Sequence, residues 1–99
     1  MDGGAVISHD VLASYAADAA LELHGVRELV DGPRRHRGVR VIEDEGSFAL
    51  EVHVALEWGS RAPELGTAVQ KRVAEYLVRM AKLPSLAVDV VVAAIAAPG

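Results

Sequence analysis

Glu51, His53 and Glu57 recur at alternate positions of FALEVHVALEW, residues 48–58. In an extended chain successive side chains point to opposite faces, so these three share one face. Carboxylates beside an imidazole can serve general acid–base catalysis or, with further donors, hold a divalent metal. A metal needs three or more convergent ligands, and the other histidines, His9, His24 and His36, fall at a helix start, a helix end and a loop. With no cysteine in the chain there is no thiolate to add. The simpler reading is the polar face of a half-buried strand, and no catalytic, cofactor-binding or metal-binding residue is assigned. Ser8, Ser14, Ser47, Ser60 and Ser85 include no nucleophile-elbow sequence.

The densest charge is the run Arg34, Arg35, His36, Arg37 within DGPRRHRG, residues 31–38, whose glycines and proline are loop chemistry. Arg34, Arg35 and Arg37 are candidate contacts for the phosphates of anionic lipid or RNA. A basic residue near an anionic surface contributes about 1 kcal/mol, so three give weak, salt-sensitive attachment. A solvated loop is the competing reading. The formal net charge of -4 argues against a general nucleic-acid binder. The G-x-x-G clamp of a KH domain, the aromatic platform of an RRM and a Walker-type phosphate loop are all missing. An RNA- or ribonucleoprotein-associated accessory domain using the Arg34–Arg37 loop therefore stands as the alternative function.

These residues sit among elements that the hydrophobic pattern predicts. Ser8 is placed to cap a helix over residues 9–24, with Asp10 in its first turn, an apolar stripe of Leu12, Tyr15, Ala16, Ala19 and Leu23, and Gly25 as terminator. Val39 to Glu43 reads as a strand, and Asp44, Glu45 and Gly46 as a tight reversal into the strand of residues 48–58, whose core side is Phe48, Leu50, Val52, Val54, Leu56 and Trp58. Pro63 suits the first turn of a second helix, about 62–82, with an inner stripe of Leu65, Val69, Val73, Tyr76 and Met80. Lys71, Glu75 and Arg79 are spaced to pair outside, and Pro84 stops the helix. Leu86 to Ile95 is a β-branched final strand. Gly3 to Ile7 is a candidate short leading strand.

The predicted fold is α/β (α+β): an α-β-β-α-β two-layer sandwich with two helices on one face of a mixed three- to four-stranded sheet. Ninety-nine residues with 52% hydrophobic content suit one domain, residues 1–99, with an ordered core of about 5–96. The first residues lack a secretory pattern, and the most apolar stretch falls short of the roughly 20 residues of a spanning helix. A soluble, cytoplasmic protein is expected.

Apolar surface is left over. Ala13, Ala17 and Leu21 point away from the first helix's core stripe, and Ala87, Val91, Ala93 and Ile95 alternate against Val88, Val90 and Val92. An apolar outer face beside an available edge suggests contact with another chain. Leu21, Ala87, Val91, Ala93 and Ile95 are thus the candidate oligomer or partner surface.

Four segments carry a resemblance: ISHDVLASYAADAALELHGVREL at 7–29, GVRV at 38–41, LEVHVALEWGSRAPELGTAVQKRV at 50–73 and YLVRMAKLPSLAVDVVV at 76–92. In this order and spacing the chain resembles the bacterial alkaline shock protein family, also described as the envelope stress response family. The resemblance implies a small α/β domain without established catalysis, cytoplasmic and at the inner face of the membrane through an anchored partner, bearing on cell-envelope homeostasis. It supplies no catalytic residues to carry over. Many relatives have charged or glycine-rich tails, whereas here the domain is expected to end near Ile95, which puts any tethering by tails in doubt. The expected protein is a non-enzymatic, self-associating scaffold, a homo-oligomer without cofactors, that docks to a membrane-anchored protein and makes peripheral membrane contact.

Overall fold

The computed structural model describes residues 7–83 and 86–97. Its elements are α1 (His9–Leu21), β1 (Val26–Leu29), β2 (Val39–Asp44), β3 (Ser47–Leu56), α2 (Ala62–Ala81) and β4 (Leu86–Ile95). The architecture is a two-layer α+β sandwich in the order α-β-β-β-α-β, one strand more than the expected order. That strand is β1. Most of the candidate leading strand, Gly3 to Ile7, and the helix stop at Pro84 lie outside the described residues.

β3 is the centre of the sheet. β4 runs parallel to it from the Phe48–Leu86 pair to the Leu56–Ile95 pair, so α2 is the crossover between neighbouring strands. Both β1 and β2 run antiparallel to β3, β2 against residues 47–52 and β1 against residues 54–56. With one side of β3 taken by β4, β1 and β2 share the other and form one interrupted strand. His53 marks the junction: its carbonyl accepts from Val30 N at 2.8 Å, and its N–H donates to the Gly38 carbonyl at 3.0 Å. The segment between Val30 and Gly38 is thus looped out of a sheet edge. A Cβ on Gly38 would lie 2.6 Å from Leu29 Cβ, and its φ is +83°, so only glycine closes this junction without strain.

The β2–β3 hairpin turns at Glu45 and Gly46, with φ of 51° and 82°. Positive φ at both central positions is the two-residue hairpin turn whose twist matches its strands. Ser8 caps α1 by accepting from Asp10 N at 3.1 Å. α1 ends at Leu21 rather than residue 24: Glu22 and Leu23 tighten onto the Ala19 and Ala20 carbonyls, and Gly25 adopts φ 103° only after that turn.

Leu50, Val52, Val54 and Leu56 point into the core beneath Leu12, Ala16 and Ala19 of α1 and Val69, Val73 and Leu77 of α2. Ala13 and Ala17 correct the expectation that they face outward, for both are buried. Their cover is the β1/β2 edge, half of which the hydrophobic pattern does not reveal. On α2 the buried row is Val69, Val73, Leu77, while Met80 is 47% exposed. The expected Lys71–Glu75–Arg79 pairs do not form among the described residues. Arg72 instead reaches across to Glu22, its Nε donating to Oε1 at 3.0 Å, and stacks with Arg79 around the Tyr76 ring. Trp58 is a further correction. β3 stops at Leu56, Glu57 N turns aside to the Gly25 carbonyl, and Trp58 is 65% exposed instead of lining the core.

Candidate interaction surfaces

The outer face of the sheet carries the polar residues of β3. Glu51 and His53 do meet there, His53 Nε2 lying 3.4 Å from Glu51 Oε1, and Arg40 of β2 approaches Glu51 at 3.9 Å. Glu57 is not brought to them: it lies past the strand end, 3.8 Å from Arg27. Among the described residues no three histidine, aspartate or glutamate side chains converge as metal ligands. The pair is a charge ladder across neighbouring strands, with Asp89 of β4 level with Glu51.

The basic loop is organised by Asp31. Its Oδ1 accepts from Gly32 N at 3.0 Å and Gly38 N at 3.3 Å, pinning both ends of the loop. Those two N–H bonds, Gly32's first, hold its carboxyl below the usual aspartate value, with Arg35 and His36 adding attraction. His36 and Val39 exchange two backbone bonds across the loop's second half. The three candidate arginines do not converge. Arg37 Nη2 pairs with Asp18 of α1 at 2.9 Å, and Arg35 Nη1 donates to the Val30 carbonyl at 3.2 Å. Arg34 makes no hydrogen bond or ion pair among the described residues. Both Arg34 and Arg37 have left-handed backbone, φ 63° and 53°. A cavity of about 370 Å³ lies between the loop and the start of α1, lined by His9, Asp10, Arg34, Arg35 and His36, so its cations are offset by an aspartate.

β4 holds four of the five candidate partner residues. Ala87 is level with Ala49 and Val91 with His53, which puts both on the outer face. Beyond Val92 the register jumps: Val54 pairs with Val92, Ala55 with Ala94 and Leu56 with Ile95. Ala93 is the extra residue, and the jump turns Ile95 to the helix side, level with the core residue Leu56. Ile95 therefore does not share a face with Val91, contrary to simple alternation. It is still 53% exposed, at the end of the sheet. Leu21, 42% exposed, belongs elsewhere, at the end of α1.

Sequence reasoning missed a cleft of about 790 Å³ between the turn after α1 and the connection from β3 to α2. His24, Glu57, Trp58, Ser60 and Leu65 line it. The signal that marks it is the dipeptide Trp58–Gly59, which reads as a strand end and so removes the tryptophan from the core.

The family model of the alkaline shock proteins, described as having a cell envelope-related function, matches residues 1–97. The chain belongs to the alkaline shock protein family. None of the curated protein sequences matches it. Solved structures of MamM-CTD are similar to this alkaline shock family domain. A His-to-Ala variant has 17% identity and a TM-score of 0.60, covering 84% of this chain and 95% of that one. A cadmium form has 19% identity and a TM-score of 0.60 over 84% and 95%. A zinc form has 18% identity and a TM-score of 0.59 over 91% and 86%. At these identities the likeness is one of fold. No helix among the described residues is long and apolar enough to cross a membrane.

Proposed function

We propose that this alkaline shock family domain is a non-enzymatic scaffold of cell-envelope homeostasis under stress. It self-associates and docks to a membrane-anchored partner at the cytoplasmic face. The observation that carries the reading is β4: ten residues at a sheet edge with Asp89 as their only charge. A long, apolar edge strand is a template for pairing with another chain. The family's cell envelope-related description supplies the setting. Glu51 is shared between His53 and Arg40, no third metal-ligating side chain converges on them among the described residues, and neither Glu51 nor His53 lines the large cleft, which favours an interaction role over catalysis.

Sedimentation of the purified protein tests the self-association. The wild type is expected as a dimer or larger species at micromolar concentration, and Val91→Asp combined with Ile95→Asp as a folded monomer. A wild type that stays monomeric at high micromolar concentration rejects the scaffold reading. Docking is tested by membrane fractionation of native cells. The protein is expected in the membrane fraction at high salt, because a protein partner outlasts the screening that releases basic residues from lipid. Recovery wholly in the soluble fraction at low salt rejects the membrane-anchored partner.

A further inference from the structure

The two edges of the sheet are unlike. The β1/β2 edge is broken by a looped-out segment, carries a register shift at Arg27 and bears Glu28, Arg40 and Asp44. Such interruptions and charges block pairing with a further strand. The β4 edge has no proline, glycine, lysine or arginine, and a single Asp89. Its backbone is free in a defined pattern. The N–H and C=O of His53 both bond toward the β1/β2 side, so the groups of Leu50, Val52 and Val54 face β4. In a parallel ladder each of these bonds to the residues flanking its level partner. Ala87, Asp89 and Val91 therefore face β3, and the N–H and C=O groups of Val88, Val90 and Val92 face away from it. Gln70 of α2 donates to the Val88 carbonyl at 2.7 Å; no side chain among the described residues bonds to the backbone of Val90 or Val92.

Beside this edge runs a groove of about 430 Å³ lined by Ala62, Pro63, Gly66, Thr67, Gln70 and Val90, among others. Gly66 lies within a 20-residue helix, where glycine is second only to proline as a destabilising residue. A Cβ built on it meets nothing within 4 Å, so nothing inside the protein requires the glycine. The position leaves this helix surface open to close approach from outside.

We propose that the β4 edge and the Gly66 face of α2 together bind a second copy of this chain, β4 against β4 in antiparallel sense. The inference rests on the self-association proposed above and specifies its geometry. The occupant is argued from self-complementarity. A two-fold axis at Val90 pairs Val90 with its equivalent and Val88 with Val92 in both directions, so three outward-facing valine backbones meet three, the Val88 carbonyl also accepting from Gln70. Asp89 then stands opposite Val91 rather than opposite a second aspartate. The helices bear on the fit as well: α2 lies against β4, its Gln70 bonding the outward Val88 carbonyl, so symmetry-related α2 helices approach each other across the axis. Packed helices lie about 8–10 Å apart, and the shorter distances need small residues at the contact. Ala62, Gly66 and Thr67 supply them. A strand of ten residues is about 33 Å long; with a sheet-plus-helix depth of roughly 20 Å it offers on the order of 650 Å² per copy, slightly under the usual specific interface. A reversible dimer follows.

Amide hydrogen exchange and sedimentation of the full chain test this. In the dimer the Val90 and Val92 amides become protected as protein concentration rises, while Ala87 and Val91, bonded to β3, are protected throughout. Val90→Pro removes an outward donor and leaves the β3 ladder intact; Gly66→Leu fills the groove at an open helical position. Each is expected to weaken dimerisation at least tenfold, while Arg34→Ser on the far edge leaves it unchanged. If Val90→Pro does not fold, Gly66→Leu decides with the exchange data. A wild type that self-associates with an affinity insensitive to Gly66→Leu, and with Val90 and Val92 exchanging freely, overturns the β4 interface and leaves the scaffold reading standing. A wild type monomeric at high micromolar concentration overturns both.

Discussion

Ile95 lies level with Leu56, on the helix side of the sheet, because the chain gains one residue at Ala93 relative to β3. The register before and after Ala93 is regular, so deleting Ala93 joins Val92 to Ala94 without moving either end of the strand. The deletion variant is expected to fold with a stability within about 1 kcal/mol of wild type, as measured by urea denaturation. If Ile95 instead alternated with Val92 onto the outer face, the deletion would carry it to the other side of the sheet. It would then pack a surface residue into the core and cost several times more.

Leu77 and Met80 are both apolar residues of α2, but only Leu77 is fully buried, at 0% exposure. Leu77→Ala is expected to cost about 2–5 kcal/mol, the range for deleting a core leucine, and Met80→Ala under about 1 kcal/mol. Thermal or urea unfolding of the two variants measures the difference. Equal losses would mean that α2 is rotated about its axis from the arrangement described.

Both helices and β4 as far as Val92 were legible because each keeps one period over that length, and the hairpin turn at Glu45–Gly46 by its residue types. The misses share a physical cause. In β1 the register shift at Arg27 puts Val26 level with Leu56 and Leu29 level with Val54, both inward yet three residues apart. The strand period of two does not survive that spacing, which is that of one helix face instead. With β1 unseen, Ala13 and Ala17 had no cover, and their burial was not expected. The jump at Ala93 misdirects Ile95 by the same mechanism, and Trp58 was assigned by extending the alternation two residues beyond the end of β3. On the candidate surface, the arginines of the loop were visible as a cluster. Their separation rests on folded contacts that no sequence pattern shows: Arg37 pairs with Asp18 of α1, and Arg35 folds back on the Val30 carbonyl five residues earlier.

Trp58 offers a direct optical check of where β3 ends, since it is the chain's only tryptophan. At 65% exposure its fluorescence should be readily quenched by iodide in the native state and shift little on unfolding in urea. Trp58→Ala is expected to change stability by under about 1 kcal/mol, against about 3–5 kcal/mol for a tryptophan in a core. Protection from iodide in the native protein that is lost on dilution would indicate instead that the cleft is covered by another chain.

Asp31 predicts an acid-sensitive loop. Its carboxyl is held below the ordinary aspartate value by the N–H groups of Gly32 and then Gly38, so the folded state binds its proton less readily than the unfolded chain does. The resulting stabilisation is fully present above the unfolded pKa and is lost as pH falls through the folded one. The Gly32 and Gly38 amide resonances should therefore titrate together, with a midpoint below 3.8. In Asp31→Asn this acid transition should disappear. Titration of the two amides at separate midpoints would mean that Asp31 does not bridge them.

Arg34 separates the binding role of the basic loop from its fold. Its φ of 63° places a Cβ-bearing residue in the left-handed region, which costs roughly 1 kcal/mol relative to glycine. Arg34→Gly should therefore stabilise the protein by a few tenths to about 1 kcal/mol, seen as a higher unfolding midpoint. Arg37→Gly relieves similar strain but breaks the ion pair with Asp18, an exposed pair worth about 0.2–1 kcal/mol, so its net effect should be near zero. If anionic surfaces are contacted through this loop, Arg34 carries more of the contact than Arg37, whose charge is already engaged. Retention on anionic vesicles at low salt should then fall more for Arg34→Gly than for Arg37→Gly. Equal retention of wild type and both variants would confine the cluster to a structural role, with Arg37 and Arg35 fastening the loop between β1 and β2.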